Sequence, residues 1–179
     1  ISLTASYKLI KNPISRIEVA SAGGYLSYEN IADKATVAGV EVEVRKNLFV
    51  RPLSSAANGM NKLSFGLNGS YIYTNAKMPL ATVTTGSQLE GAAPWIANFD
   101  LSHNFTKGTH SFINTLVFNY VSDKIYTIGT QGYQDIIEQG MMTLDFVSQA
   151  KLNKYVSLTL KARNLLNPSY KLSRKANES

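Results

Sequence analysis

The sequence predicts an all-β protein, an antiparallel meander of about seven long strands taken from a transmembrane β-barrel. Three observations lead to this fold class. Apolar and polar residues alternate through several segments, these segments are long, and short and long connections fall at alternate ends. Charged residues make up only 17% of the chain, whereas soluble domains usually contain about a quarter. The 44% of hydrophobic residues is enough for a folded structure.

Seven segments show the period of two residues that is typical of strands with one apolar face. In residues 95–105 the odd positions are mainly apolar, whereas the even positions include Asn98, Asp100 and Ser102. No segment has convincing helical periodicity, and no apolar run approaches the ~18 residues of a transmembrane helix. The seven predicted strands are residues 1–9, 38–45, 63–73, 95–105, 112–120, 142–152 and 156–162.

The predicted connections fall into two classes. Residues 106–109 and 153–155 are tight hairpin turns, and a somewhat longer connection covers residues 46–62. Three other connections are long and polar: residues 11–34, 75–94 and 124–140. Short turns at one end and long loops at the other are typical of outer-membrane barrels, in which the short turns are periplasmic.

Aromatic residues support a membrane-spanning sheet. Trp95 and Phe105 share a face and are ten residues apart, which corresponds to about 25 Å along a tilted strand. This matches the height of the apolar band of such barrels. The predicted outer girdle contains Tyr71, Tyr73, Trp95 and Tyr120, and the predicted inner girdle contains Phe65, Phe105 and Phe112.

The alternation also predicts register and faces. The expected pairs are Phe105 with His110, Trp95 with Tyr120, Leu152 with Val156, and Ala150 with Leu158. Charged side chains should share one concave, lumen-lining face: Glu41, Glu43, Asp100, Asp145, Lys161 and Arg163. Leu101, Phe118, Phe146 and Leu160 should lie on the convex face.

No catalytic, cofactor or metal site is predicted, so an enzyme is not expected. Glu41 and Glu43 could in principle form an acid–base pair, but the wall of a polar lumen explains them better. Lys151, Lys161 and Arg163 are expected on the same wall. The residues that bind a ligand are not identified by any motif.

Metal and nucleic-acid binding are disfavoured by composition. The chain has no cysteine and two histidines, and His103 and His110 flank one turn without further metal ligands. We expect these two histidines at a membrane interface. The 18 Lys and Arg residues are scattered along the sequence, so they do not indicate nucleic-acid binding.

Four segments, taken in their order along the chain, resemble segments of a known protein family. They are Lys-Asn-Pro-Ile at 11–14, Gly-Val-Glu-Val-Glu at 39–43, Leu-Glu-Gly-Ala-Ala-Pro at 89–94, and Asn-Leu-Leu-Asn at 164–167 followed by Tyr170. With them, the sequence resembles the C-terminal part of the β-barrel of TonB-dependent outer-membrane receptors. This resemblance implies a 22-stranded barrel in the Gram-negative outer membrane with an N-terminal plug. It also implies import of a scarce nutrient.

The resemblance further implies partners and boundaries. The partners would be outer-membrane lipid, the rest of the receptor with its plug, a TonB-type energy-coupling protein, and a small nutrient. The final strand of the family is missing here, so residues 1–171 are expected to be a partial barrel and residues 172–179 a polar tail or loop. Alone, this part should transport nothing. The strands at residues 1–9 and 156–163 should then pair with protein outside the chain, because open edges are costly in lipid.

Two alternatives stay open at this point. A complete small outer-membrane barrel with a structural or adhesive role would need an eighth strand, for which residues 1–28 would divide into two. A soluble ligand-binding barrel would place its apolar face inside rather than outside. Siderophores, cobalamin, glycans and peptides are all compatible ligands, and the sequence does not distinguish among them.

Overall fold

The fold is described by a computed structural model of residues 1–19, 23–53, 59–79, 81–83 and 87–174. Within these residues no helix is long and apolar enough to cross a membrane. The described part contains fourteen strands, which are β1 (Ser2–Lys11), β2 (Ile14–Glu18), β3 (Leu26–Asn30), β4 (Lys34–Leu53), β5 (Gly59–Ala76), β6 (Ala81–Val83), β7 (Trp95–Lys107), β8 (His110–Val121), β9 (Lys124–Thr127), β10 (Gly129–Thr130), β11 (Ile136–Glu138), β12 (Met141–Lys151), β13 (Ser157–Ala162) and β14 (Leu172–Arg174).

Seven strands form one antiparallel sheet, and their order in the sheet is their order along the chain: β1, β4, β5, β7, β8, β12 and β13. This confirms the predicted meander of seven long strands. Within the described residues β1 and β13 are the two edges, and the sheet does not close on itself. Both edges therefore retain unpaired backbone groups that lipid cannot satisfy.

The prediction of a connection at residues 46–62 is wrong for most of these residues, because they belong to strands. Strand β4 continues to Leu53 and β5 begins at Gly59, and residues 54–58 lie outside the described residues. The reason is an irregularity in the β4–β5 register between Asn47 and Phe49. The extra residue, Leu48, reverses the phase of the alternation, so the strand looks interrupted in the sequence although its pairing continues.

The sheet has one apolar and one polar face. Paired residues in neighbouring strands lie on the same face, and the register places Glu41, Glu43, Asp100, Asp145 and Lys161 together. Leu101, Phe118, Phe146 and Leu160 lie on the opposite face. The predicted separation of these two groups is confirmed.

The predicted register of the β7–β8 hairpin is wrong by two residues. Lys107 pairs with His110, and Phe105 pairs with Phe112 instead of His110. The loop has only two residues, and Gly108 has a φ of 59°, as the first central position of a type II′ turn requires. A shift of two residues leaves every side chain on its predicted face.

The same shift changes the partners at the other end of this hairpin. Tyr120 opposes Ala97 instead of Trp95, and the carbonyl of Trp95 accepts a 2.9 Å hydrogen bond from Ser122 N. The β12–β13 hairpin follows the prediction: Ala150 opposes Leu158, and Leu152 N donates to the Val156 carbonyl at 3.0 Å.

Aromatic side chains occupy both ends of the apolar face. The rings of Tyr71 and Trp95 are 4.6 Å apart near the long loops, and those of Phe105 and Phe112 are 6.4 Å apart near the short turns. Phe65 is an exception to the predicted inner girdle, because it pairs with Leu101 and so lies further up the strand.

The long connections fold together over one end of the sheet. We call the described residues of 12–33, 77–94, 122–140 and 164–174 the loop cap. Its short strands pair as β2 with β3, β6 with β10, and β11 with both β9 and β14. The segment predicted as a polar tail or loop thus contributes β14 at Leu172–Arg174, and residues 175–179 lie outside the described residues. At the opposite, short-turn end the strands are joined by hairpins.

Candidate functional site: the loop cap and the polar face

The loop cap has a hydrophobic core of its own. Ile125 and Ile128 are fully buried, and Ile17, Ile31 and Leu89 are nearly so. These side chains come from three different connections, so each loop contributes to a core that none could form alone. Burial of a large aliphatic side chain is worth about 1.5–3 kcal/mol, which is enough to hold the loops against one another.

Backbone hydrogen bonds join the same connections. Ile128 N donates to the Arg16 carbonyl at 3.0 Å, and Glu18 N donates to the Ile128 carbonyl at 3.2 Å. Gly91 N donates to the Ile125 carbonyl at 2.9 Å. The third long connection therefore lies between the first and the second, and it is bonded to both.

Arg16 contacts side chains from both other long connections of the loop cap. Its Nη2 lies 3.4 Å from Glu90 Oε1, and its backbone N donates to Glu90 Oε2 at 2.5 Å. The guanidinium carbon lies 4.2 Å from the ring centroid of Tyr126 and 5.9 Å from that of Tyr28. Burial acts to lower the pKa of Arg16, but Tyr126, Tyr28 and Glu90 together raise it. The side chain stays cationic and links all three long connections.

A second arginine attaches the C-terminal segment. Arg174 Nη2 pairs with Glu18 Oε2, and its guanidinium carbon lies 5.6 Å from the ring centroid of Tyr133. Thr130 Oγ1 donates to the Glu18 carbonyl at 2.6 Å. Glu18 is thus fixed from two sides, and the first connection is joined to residues that follow the last strand of the main sheet.

Glu138 makes a third polar cluster in the loop cap. Its Oε1 lies 3.0 Å from Lys124 Nζ, and its Oε2 accepts a 3.5 Å hydrogen bond from the Tyr170 hydroxyl. Desolvation and the negative charge of Glu138 both raise the pKa of Tyr170. The phenol therefore remains a protonated donor at neutral pH.

A cleft of about 1090 Å³ lies between the loop cap and the ends of β4 and β5. Its wall combines amides, charges and a few apolar side chains, and Asn12 N donates to the Asp33 carbonyl at 2.9 Å in this region. Such a mixed wall can hold a polar organic ligand through several directional contacts. The polar residues lining it are Asn12, Asn30, Asp33, Lys34, Asn75, Lys77 and Ser87.

The polar face of the main sheet carries rows of hydrogen-bonded side chains. Asn68 Nδ2 donates to Glu41 Oε1 at 2.5 Å, and Asn98 Nδ2 donates to Asn68 Oδ1 at 3.4 Å. The register continues this row through Asn119, whose Nδ2 donates to Thr143 Oγ1 at 3.0 Å. Five strands are linked by one polar row, as expected of a wall that borders water.

The two glutamates considered as an acid–base pair have other partners. Glu41 accepts from Asn68, and Glu43 pairs with Arg45. Lys151 and Lys161 lie on the same face, opposite Ser111 and Val147, and Arg163 follows directly after β13. The structure gathers these charges on one wall and brings none of them into an arrangement that would perform proton transfer on a substrate.

His103 and His110 lie on the apolar face rather than together at a site. His103 Nε2 is 2.8 Å from Asn61 Oδ1, and His110 pairs with Lys107 at the turn. Among the described residues, no group of three His, Asp or Glu side chains is arranged to hold a metal ion.

Sequence reasoning missed the loop cap as a unit. Its strands have two to five residues, which is too short for alternation to identify. The available indication was the isoleucines within polar loops, Ile17 in the first and Ile125 with Ile128 in the third. Their sequence positions do not predict that they meet, because Ile17 and Ile128 are more than a hundred positions apart.

Comparison with known proteins identifies the family. The sequence model of the family described as TonB dependent receptor-like, beta-barrel matches residues 1–165. The chain belongs to this family. No curated protein and no solved structure matches it. Members of the TonB-dependent receptor family are outer-membrane transporters rather than enzymes, and the family as a whole has a plug domain and a TonB partner. The open sheet of seven strands is consistent with part of such a barrel.

Proposed function

We propose that this chain is part of an outer-membrane transporter that binds a scarce nutrient and imports it with energy from the inner membrane. Residues 1–171 would form a section of the barrel wall, and the loop cap would face the outside of the cell. The match of residues 1–165 to the family is the main support for this proposal. The sheet agrees with it, because one face is polar and the other apolar, and because one end has long loops and the other short turns.

The polar face is proposed as the wall of the lumen. Its hydrogen-bonded rows and its charges of both signs suit contact with water, a plug and a passing solute. The apolar face is proposed as the lipid contact, since it exposes large side chains such as Trp95 (57%) and Leu160 (62%) along its length. A soluble barrel would place these side chains in its interior.

The open sheet disfavours a complete small barrel. Strand β1 pairs only with β4, and β13 pairs only with β12, among the described residues. Closure would then need further strands, which the rest of a receptor would supply. The ligand would be held by the loop cap and the cleft beneath it, and its chemical class is a question for experiment.

Uptake by cells tests this proposal. Cells that produce the intact receptor containing this sequence would be offered labelled siderophores, cobalamin, glycans and peptides, with and without collapse of the inner-membrane proton gradient. We expect one class to accumulate only with the gradient. Accumulation that does not depend on the gradient, or no accumulation of any class, would contradict the proposal.

A further inference from the structure

The short-turn end of the molecule is rich in basic residues and has no acidic ones. The described residues of three sequence segments, 46–64, 102–115 and 147–160, meet there. They contain six Lys and Arg residues and two histidines but no Asp or Glu. The loop cap is different, because its basic and acidic side chains are interspersed and paired. A one-sided charge distribution of this kind attracts anions.

Three of these cations lie on the apolar face. Lys46 pairs with Phe65, Arg51 with Asn61, and Lys107 with His110. All three are exposed. Within the seven strands of the main sheet as described, this face carries no Asp or Glu, and its only other basic residues are Lys11 and Lys34, which pair with each other at the loop-cap end. Its charge is therefore positive only, and the cations lie towards its two ends.

Within the described part of the chain, the three cations have no carboxylate partner. The ion pairs among the described residues involve Arg16, Arg45, Lys124 and Arg174. Arg51 has its guanidinium carbon 5.7 Å from the ring centroid of Phe49, so its charged group lies over an aromatic ring of the apolar face. Long basic side chains are favoured at a membrane boundary.

The neighbouring side chains also have the character of a boundary. Next to the cations a polar row interrupts the apolar face, with His103 Nε2 2.8 Å from Asn61 Oδ1 and with Ser148 Oγ donating to Asn114 Oδ1 at 2.7 Å. The Phe105–Phe112 ring pair lies directly beside this row. Aromatic, polar and basic groups together are characteristic of the depth at which lipid headgroups lie.

We propose that Lys46, Arg51 and Lys107 form a collar that binds the phosphate groups of phospholipids in the periplasmic leaflet of the outer membrane. This rests on the proposed outer-membrane function, because short turns face the periplasm in such barrels. Arg51 can hold two phosphate oxygens at once, whereas Lys46 and Lys107 act as point charges. His103 pairs with Leu63 and Asn61 with Phe105, so they supply additional hydrogen-bonding groups in the rows between Lys46 and Lys107.

The test compares two triple variants of the intact receptor. The first, Lys46→Gln/Arg51→Gln/Lys107→Gln, removes the collar. The second, Lys62→Gln/Lys151→Gln/Lys161→Gln, removes three charges from the opposite face. Detergent-solubilised protein is titrated with phosphatidylglycerol and, separately, with lipopolysaccharide and inorganic phosphate, and bound molecules are counted by native mass spectrometry.

The collar variant should bind phosphatidylglycerol roughly 100-fold more weakly, at about five-fold per charge. The control variant should change less than two-fold, and inorganic phosphate should compete only weakly. Equal losses in both variants, no loss in the collar variant, or a loss confined to lipopolysaccharide would overturn the proposal.

Two further measurements keep the result interpretable. A Lys46→Arg/Lys107→Arg variant retains the positive charges and should bind phosphatidylglycerol like the wild type. It provides a second test of the collar if the glutamine variant does not fold. Nutrient uptake is measured in the same strains. Normal uptake with unchanged lipid binding refutes the collar alone, whereas absence of uptake in the wild type refutes the transport function.

Discussion

The loop cap and the short-turn end both connect neighbouring strands, but they do so in opposite ways. The loop cap uses long connections with a buried isoleucine core and paired charges. The short-turn end uses hairpins, a glycine with positive φ and an asparagine side chain, and among the described residues its cations make no ion pair. One end is therefore stabilised by tertiary contacts and the other by local geometry. A substitution in the loop cap should therefore affect several segments, whereas a substitution at the short-turn end should affect only its own hairpin.

The largest effect is expected from Ile125→Ala in the loop cap. Ile125 has no exposed surface, and truncating such a residue costs about 2–5 kcal/mol. Hydrogen exchange of the intact receptor should show faster exchange across all the cap strands and unchanged exchange in β7 and β8. Ile14→Ala is the matched control, since Ile14 is 69% exposed and its loss should cost less than about 0.5 kcal/mol. Equal effects of the two variants would contradict a cap core.

The next largest effect is expected from Gly129→Ala. A Cβ at this position would lie 2.2 Å from the Tyr133 carbonyl oxygen and 2.5 Å from Gln134 C, and backbone cannot move as easily as a side chain. We expect a loss of about 2–3 kcal/mol, measured as an increase in protease cleavage within the loop cap. Gly69→Ala in the sheet should be tolerated, because nothing lies within 4 Å of its Cβ position. Greater damage from Gly69→Ala would reverse this interpretation.

Arg16→Ala should cost about 2 kcal/mol. The change leaves Glu90 without its cation in a partly buried position and removes contacts with two tyrosine rings, although partial exposure reduces the loss below that of a buried pair. A double-mutant cycle with Glu90→Gln, followed by hydrogen exchange in β9, measures the coupling. Arg16→Lys should recover less than half of the loss, since it cannot stack as a plane. Additive effects of the two substitutions would show that the pair contributes nothing.

The smallest effect is expected from Asn153→Ala at the short-turn end. Asn153 Oδ1 accepts hydrogen bonds from Tyr155 N at 2.8 Å and Val156 N at 2.9 Å, and loss of this turn motif should cost about 1 kcal/mol. Faster exchange should be confined to β12 and β13. Asn153→Asp keeps the acceptor and should be nearly neutral. Exchange that spreads into the loop cap would show that the two ends are not independent.

The main sheet was predictable because its determinants are local. Alternation in residues 95–105 and 142–152 gave faces and approximate ends, and the β12–β13 register followed from the short turn at Asn153. The β7–β8 register was wrong by two residues because Gly108 and Thr109 alone form the loop, which composition does not reveal. The position of Arg51 on the apolar face was also hidden, since the extra residue Leu48 reverses the alternation only once pairing is known.

The loop cap and the collar could not be predicted for a different reason. The pairing of Arg16 with Glu90 spans 74 positions, and the core joins three connections whose own patterns are too short to read. The collar residues come from two hairpins, and only the register places them on one face. In both cases the sequence alone does not show which distant segments come into contact.

The contact between Glu18 and Arg174 has a consequence for the order of assembly. It joins residues 156 positions apart, and every strand of the main sheet except β1 lies between them. Closing so long a loop before the sheet exists would have a high entropic cost for one ion pair, whereas the finished sheet brings the two residues together at little further cost. This ion pair should therefore be among the last contacts to form, so its appearance marks the completion of this section of the wall. Topologies with such distant pairings fold slowly, and this contact should form only after the strands between Glu18 and Arg174 are in register.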